Sequence, residues 1–100
     1  MPKNNKESFK WNLLAAKQGI SEAQNKIGYF FHEGIGIKLN YKKAFFWYKK
    51  ASEQSNEIAM NNLGLSYLYG DGCNKSERWA KYWFKKAKKY GYKKKSDNIV

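Results

Sequence analysis

The side chains most often used for catalysis and metal binding are sparse in this sequence. His32 is the only histidine and Cys73 the only cysteine, and they stand far apart in the chain. A zinc site needs several such ligands together, and a catalytic thiol needs a base within hydrogen-bond reach. The eight acidic residues contain no convincing acid–base pair. We therefore expect no catalytic centre, no metal site and no cofactor, and we interpret His32 as a polar helix position that lines a groove at most.

Two glycine pairs, Gly34-x-Gly36 and Gly70-x-Gly72, raise the question of a phosphate-binding loop. A dinucleotide site or a P-loop needs a preceding strand and further glycines, and the P-loop also needs Gly-Lys-Ser/Thr. Neither pair is followed by these residues. The glycines are therefore interpreted as turns.

Positive charge is the third candidate for chemistry. The formal net charge is +12, and residues 75–95 hold ten of the twenty Lys and Arg residues against one acid, Glu77. A basic stripe at i, i+4, i+7 and i+11 is formed by Arg78, Tyr82, Lys85 and Lys89. Cations with an interleaved aromatic can hold the phosphates and stack the bases of a nucleic acid, and a basic amphipathic helix also suits an anionic membrane surface. The alternative is a solvated helix face.

An internal repeat organises most of the chain. Residues 21–56 and 57–92 align at an offset of 36 residues with ten identical pairs. These are Ala23/Ala59, Asn25/Asn61, Gly28/Gly64, Gly34/Gly70, Gly36/Gly72, Ala44/Ala80, Trp47/Trp83, Lys49/Lys85, Lys50/Lys86 and Ala51/Ala87. Half a unit precedes them at 6–20, and a basic tail follows at 93–100. A fixed period of this size is typical of a solenoid built from supersecondary units.

Each unit is predicted to contain two helices. Apolar residues recur at i, i+3, i+4 and i+7 along both halves of the unit, and the glycine pair separates the halves. Ser21 with Gln24 fits a capping box for the first helix, and Asn40 and Ser76 are expected to cap the second helices. The predicted helices cover about residues 6–18, 21–33, 41–54, 57–69 and 77–90. The alanines at 44 and 51 allow close helix packing, and we expect a structural role for Trp47, Tyr48, Trp83 and Phe84.

The order Ala23-x3-Ile-Gly-x2-Phe-x2-Gly-x-Gly-Ile, then Asn-Tyr-x2-Ala-x2-Trp-Tyr-x2-Ala51, resembles the Sel-one-like repeat (SLR), a relative of the tetratricopeptide repeat. The second copy matches nearly as well. Asn40 and Ser76 replace the family's usual aspartate, and Ser52 and Lys88 replace its second alanine. The resemblance implies an all-α, right-handed α–α superhelix, that is, a short solenoid of about two and a half repeats in a single domain over residues 1–100.

The resemblance also implies a function. In this fold class the first helix of each repeat lines the concave face, which usually holds a partner's peptide. The implied partner-binding positions are Asn25, Tyr29, His32, Asn61, Leu65 and Leu68. Asparagine side chains there can bond an extended peptide backbone with both donor and acceptor. The alternative for each position is solvated helix surface.

The repeat bears on two other surfaces. The positions of the basic stripe recur one copy earlier as Lys42, Phe46, Lys49 and Glu53. Because the pattern belongs to the repeat, a solvated helix face is the favoured interpretation of the basic stripe. The first half-unit carries Leu13 and Leu14 where the later copies carry two lysines. Together with Phe9 they are expected to form an apolar edge that seeks cover, for which we favour self-association over the N-terminal arm or the biological partner.

The function that the sequence favours is a non-catalytic protein–protein interaction module, an adaptor that holds a peptide or protein segment. The alternative is a basic surface that binds nucleic acid or another polyanion. No run of apolar residues is long enough for a transmembrane span, and no signal peptide is expected. A single cysteine fits a reducing compartment, so we expect a cytoplasmic location, or the interior of a host cell.

Overall fold

The computed structural model describes residues 4–93, and this part of the chain contains five α-helices of 13 residues each. They are α1 (Asn5–Lys17), α2 (Ser21–Glu33), α3 (Tyr41–Glu53), α4 (Glu57–Tyr69) and α5 (Glu77–Lys89). Each helix packs against the next one along the chain. The expected all-α repeat fold is confirmed, and the predicted helix bounds differ from the observed ones by at most one residue. We call α2 and α4 the first helices, and α1, α3 and α5 the second helices.

Two of the second helices, α3 and α5, begin where the sequence predicts. The Asn40 side chain accepts a hydrogen bond from the Lys43 backbone N–H at 3.0 Å, and Ser76 accepts one from Trp79 at 3.1 Å. These bonds satisfy backbone donors that have no partner within the helix. Both predicted caps are confirmed.

The capping box predicted at the start of α2 is wrong. The N-cap is Ile20, which makes no side-chain hydrogen bond to the helix, and Ser21 is already the first helical residue. Gln24 is buried, and its amide donates to the Ala16 carbonyl at 3.1 Å instead of reaching back to its own helix start. The glutamine therefore ties α2 to α1, because the buried carbonyl at the end of α1 is the stronger competitor for its amide.

The glycine pairs end the first helices, as expected. Gly34 and Gly70 adopt left-handed dihedrals, with φ of 69° and 70°, which other residues adopt only at a cost. The second glycine of each pair serves a different purpose. A Cβ added to Gly72 would overlap the Tyr41 carbonyl at the start of α3, and Gly36 stands in the same relation to the start of α1. Each loop thus packs against the second helix of the preceding unit.

The core forms between the paired helices. Ala44, Ala51 and their equivalents in α5 are buried completely or almost completely. The Tyr48 ring lies against Gly28 of α2, so that a Cβ at that position would be 2.6 Å from the ring. Phe84 lies on Gly64 in the same way in the next copy. Small residues on both helices therefore leave room for one aromatic ring in each helix pair. The tryptophans at 47 and 83 are partly buried and pack at the margin of the core.

Candidate functional site

The first helices lie side by side and run in the same direction. Three hydrogen bonds link α2 to α4 and the residues that flank α4: Asn56 to Ser21, Asn62 to Asn25, and His32 to Asp71. Their sequence separations are 35, 37 and 39 residues, so partners advance along both helices together. An antiparallel pair would give separations that fall steadily instead. The two helices therefore form one continuous surface.

Five of the six predicted partner-binding residues are at least partly exposed on this surface, and each of them has a side-chain hydrogen bond to at most one other residue. Tyr29 and Leu65 are exposed, and Asn61 and Leu68 are partly exposed. Asn25 is partly exposed, but its side-chain oxygen accepts a hydrogen bond from Asn62 at 3.0 Å. One acceptor position of the Asn25 amide thus holds the neighbouring repeat, and the role of Asn25 in binding a peptide stays a prediction.

His32, the sixth residue, is engaged within the chain. Its Nε2 lies 2.9 Å from Asp71 Oδ2, and its Nδ1 lies 3.0 Å from Glu33 Oε2. The ring also packs on Tyr41, with 4.8 Å between ring centroids. Burial alone lowers the pKa of His32, but the hydrogen bonds to Asp71 and Glu33 outweigh it, so the pKa lies above its ordinary value of 6.5. His32 is thus a link between repeats, and its role as a ligand-facing residue stays a prediction.

An apolar stripe on α4 was missed by the sequence reasoning, apart from Leu65. Ile58, Leu65 and Tyr69 are 49%, 37% and 67% exposed, and they follow at i, i+7 and i+11 on one side of the helix. We call these three residues the α4 stripe. After Glu57 the helix contains no charged residue. The signal that marks the stripe in the sequence is a helix that carries no charge after Glu57 and is apolar on more than one side.

The same side of α2 has a different character. The α2 residues equivalent to the α4 stripe are Glu22, Tyr29 and Glu33, all exposed. α2 therefore contributes two carboxylates and one aromatic ring beside the α4 stripe.

The predicted basic stripe is accessible. Arg78, Tyr82, Lys85 and Lys89 are all exposed along α5. The Tyr82 ring lies edge-on to Trp79 and to Trp83, with centroid separations of 5.4 and 5.2 Å. The Lys86 ammonium lies 5.7 Å from the Tyr82 ring centroid. The stripe is thus a cationic surface whose aromatic ring is already in contact with its neighbours.

The predicted N-terminal edge is only partly correct. Phe9 packs on the rings of Phe30 and Phe31, with centroid separations of 6.3 and 5.3 Å, and Leu13 packs against the core. The reason is that α2 covers the side of α1 that holds residues 9, 13 and 16. Leu14 remains exposed, and the neighbouring Trp11 is 59% exposed. Self-association through this edge stays a prediction.

The remaining reactive groups are not assembled into a centre. The Cys73 thiol donates to the Ser66 carbonyl at 3.5 Å, and burial raises its pKa. Within residues 4–93, no three His, Cys, Asp or Glu side chains are grouped for a metal ion. None of the helices in the same range is both long and apolar enough to cross a membrane. Apart from Lys93, the predicted basic tail lies outside the described residues.

Comparison with known proteins identifies the repeat. A family model described as the Sel1 repeat matches residues 1–20, 21–56 and 58–92. Among curated proteins, none matches the chain significantly in sequence.

Several solved structures share the fold. A Sel1 repeat protein from Oxalobacter formigenes is 32% identical, with a TM-score of 0.86 over 89% of this chain and 68% of that one. The protein c5321, a protective antigen of uropathogenic Escherichia coli strains with an SLR fold, is 29% identical with a TM-score of 0.88. The match covers 92% of this chain but only 20% of c5321. The cysteine-rich protein B of Helicobacter pylori shares the fold, with 24% identity and a TM-score of 0.85. The match covers 98% of this chain and 73% of that protein.

Proposed function

Since the chain belongs to the Sel1 repeat family, whose members are generally non-catalytic protein–protein interaction modules, we propose that it binds a segment of a partner protein across α2 and α4. The α4 stripe is the observation that carries this proposal. It supplies the apolar contact, and the neighbouring α2 surface supplies charged and polar contacts around it. This arrangement has the apolar centre and polar rim that protein interfaces usually show.

The energetics favour occupation of the stripe. Ile58, Leu65 and Tyr69 keep a third to two thirds of their surface in water. Burying a large apolar side chain is worth roughly 1.5 to 3 kcal/mol, so covering three of them on binding gives a substantial gain even after ordering costs. Leu68 and Asn61 border the stripe, and the unpaired amide of Asn61 suits a hydrogen bond to a peptide backbone.

The test compares capture of partner proteins by three forms of the chain. Leu65→Lys with Tyr69→Lys places two charges in the stripe, and Phe46→Lys makes the same kind of change at a residue of α3 that is 53% exposed outside it. The double variant is expected to lose the captured proteins at least about 30-fold, because interface centres often contribute 2 kcal/mol or more. The Phe46→Lys control is expected to retain them.

Circular dichroism separates loss of binding from loss of folding, since the altered side chains are exposed. If a folded double variant captures the same proteins as the wild type, the α4 stripe is not the binding surface. If the Phe46→Lys control loses them equally, the proposal fails as well, because the effect is then general to added charge.

A further inference from the structure

The second helices share a side that the next first helix covers. In α1 this side contains Phe9, which contacts two phenylalanines of α2, and Ala16, whose carbonyl accepts the Gln24 amide. Ala16 is 1% exposed. The following helix therefore packs on these two positions, which we call the seat of that helix.

The next copy repeats this arrangement. Phe45 of α3 meets Tyr67 of α4 edge-on, with 5.4 Å between ring centroids. Ser52, seven residues further along and so on the same side of α3, is buried. Phe45 and Ser52 stand 36 residues after Phe9 and Ala16, so the seat has the same position in both units.

In α5 the two seat positions are lysines. Lys81 and Lys88 stand 36 residues after Phe45 and Ser52, and both are exposed. A shallow concavity of about 600 Å³ lies along this side of the helix. We call it the end face, and its lining residues are Arg78, Lys81, Tyr82, Phe84, Lys85 and Lys88.

The chemistry of the end face specifies what can fill it. Four of its six lining residues are cationic, and none is acidic. A helix with the apolar contacts of α2 or α4 would bury the ammonium groups of Lys81 and Lys88 without a partner, which is costly. A helix that places carboxylates opposite them would pair the charges, while its apolar residues would cover Phe84 between them.

A single-stranded nucleic acid fits these contacts less well. Bases need open aromatic faces on which to stack. The Tyr82 ring, the more exposed of the two aromatic rings of the end face, carries the Lys86 ammonium over it. The cations also lie at the positions that contact the following helix in the two preceding units.

We propose that the end face binds an acidic amphipathic helix of a partner protein, in the place where the next first helix of the array would lie. The carboxylates of that helix pair with Lys81 and Lys88, and its apolar side covers Phe84. This site is separate from the α4 stripe, so a partner can occupy one surface without the other.

A peptide probe for the end face can be designed from the sequence of α4. The α4 sequence, residues 57–69, is the helix that fits the seat on α3. In it, Tyr67 meets Phe45, and Met60 is the equivalent of the Gln24 that reaches Ala16. A synthetic peptide of this sequence with Met60→Glu and Tyr67→Glu places carboxylates opposite Lys88 and Lys81. A side-chain cross-link between positions 58 and 62 keeps both this peptide and the unmodified one helical, because isolated helices of this length are marginal.

Binding is measured by titrating each peptide into the isotopically labelled chain and following backbone amide signals by NMR. The acidic peptide is expected to bind at least tenfold more tightly than the unmodified peptide and to shift signals of residues 78–88. Replacing Lys81→Phe together with Lys88→Ser restores the α3 side chains and is expected to reverse the preference. Lys81→Gln with Lys88→Gln, which keeps the surface polar, is expected to abolish it.

Four outcomes would overturn the proposal. The first is equal affinity for the two peptides, and the second is signal shifts that avoid residues 78–88. The third is tighter binding of a 15-mer of deoxythymidine than of the acidic peptide at these residues, which would assign the face to nucleic acid. The fourth is binding of phosphatidylserine vesicles without peptide binding, which would assign it to an anionic membrane surface.

Discussion

His32 offers a direct test of how the repeats are joined. It belongs to the end of α2, yet its Nε2 lies 2.9 Å from Asp71, in the loop of the next repeat. Its Nδ1 lies 3.0 Å from Glu33. A neutral imidazole can donate to only one of the two carboxylates, whereas the imidazolium can donate to both. The contact between repeats should therefore depend on the protonation of this single side chain.

The sign of the pH dependence follows from the raised pKa. An unfolded chain has a histidine pKa of about 6.5. In the folded chain, burial lowers the pKa of His32, and the two carboxylate contacts raise it further than burial lowers it. A group whose pKa is raised by folding contributes its full stabilisation below the unfolded value and loses it as the pH rises through the folded value. His32 should therefore contribute its full stabilisation below about pH 6.5 and lose it as the pH rises through its raised pKa in the folded chain.

The magnitude is set by partial exposure. The His32 side chain is 26% exposed, and that of Asp71 is 22% exposed. Charge-assisted hydrogen bonds contribute about 1.5 to 3 kcal/mol when buried, and exposed ion pairs about 0.2 to 1 kcal/mol. We expect His32→Gln to cost about 1 kcal/mol at pH 6, which corresponds to a fall in Tm of about 4 to 8 °C for a domain of this size.

The assay uses the fact that the chain has one histidine. Its ring proton signal, followed by NMR as the pH is changed, gives the pKa in the wild type and in Asp71→Asn. The wild-type pKa should lie above 6.5, and the variant should titrate at a lower pH. Thermal denaturation of the wild type and His32→Gln at pH 6 and pH 8.5 gives the stability difference. A difference that is the same at both pH values, or a wild-type pKa at or below 6.5, would refute the reasoning.

Three further predictions concern packing and backbone strain, and urea denaturation followed by circular dichroism measures each of them. Gly64→Ala should destabilise by roughly 1 to 3 kcal/mol, although alanine favours helices, because the new Cβ would lie 2.6 Å from the Phe84 ring; adding Phe84→Leu should recover part of the loss. Ser55→Gly should stabilise by about 1 kcal/mol, because Ser55 has φ of 66° where the other two copies have glycine; no gain would show that the turn is unstrained. Ser52→Ala should stabilise by about 1 kcal/mol, because the buried hydroxyl has no hydrogen-bond partner; a loss instead would reveal a partner.

The sequence predicted the helices well because their signals are local. Asn40 and Ser76 act within one turn of their own helices, and Gly34 and Gly70 fix the dihedrals of their own positions. Such features need no knowledge of which other helix lies nearby. The 36-residue offset then gives the order of the helices, because equivalent residues must make equivalent contacts.

The capping-box error occurred where a neighbouring helix decides the outcome. Gln24 has the right spacing for a capping box, but the Ala16 carbonyl of α1 takes its amide. The sequence also did not show that Asn25 and His32, on the side of α2 predicted to face a ligand, bond to Asn62 and Asp71 of the following repeat. Helical periodicity gives the side of a helix on which a residue lies, but not which neighbour covers that side.

The same limit applies to the first and the last described helix. Leu13 and Leu14 are adjacent in sequence, and measured from the alanine side of α1 both point outward. Leu13 is nonetheless packed against the core, because α2 covers a second side of α1 that the alanines do not mark. The corresponding second side of α5 carries Lys81 and Lys88, two residues that appear in the sequence as ordinary solvent-exposed charges. Only the contacts of Phe9 and Phe45 show that these lysines occupy the seat of a helix, and that observation changes the interpretation of the positive charge from a solvated surface to a specific site for an acidic helix.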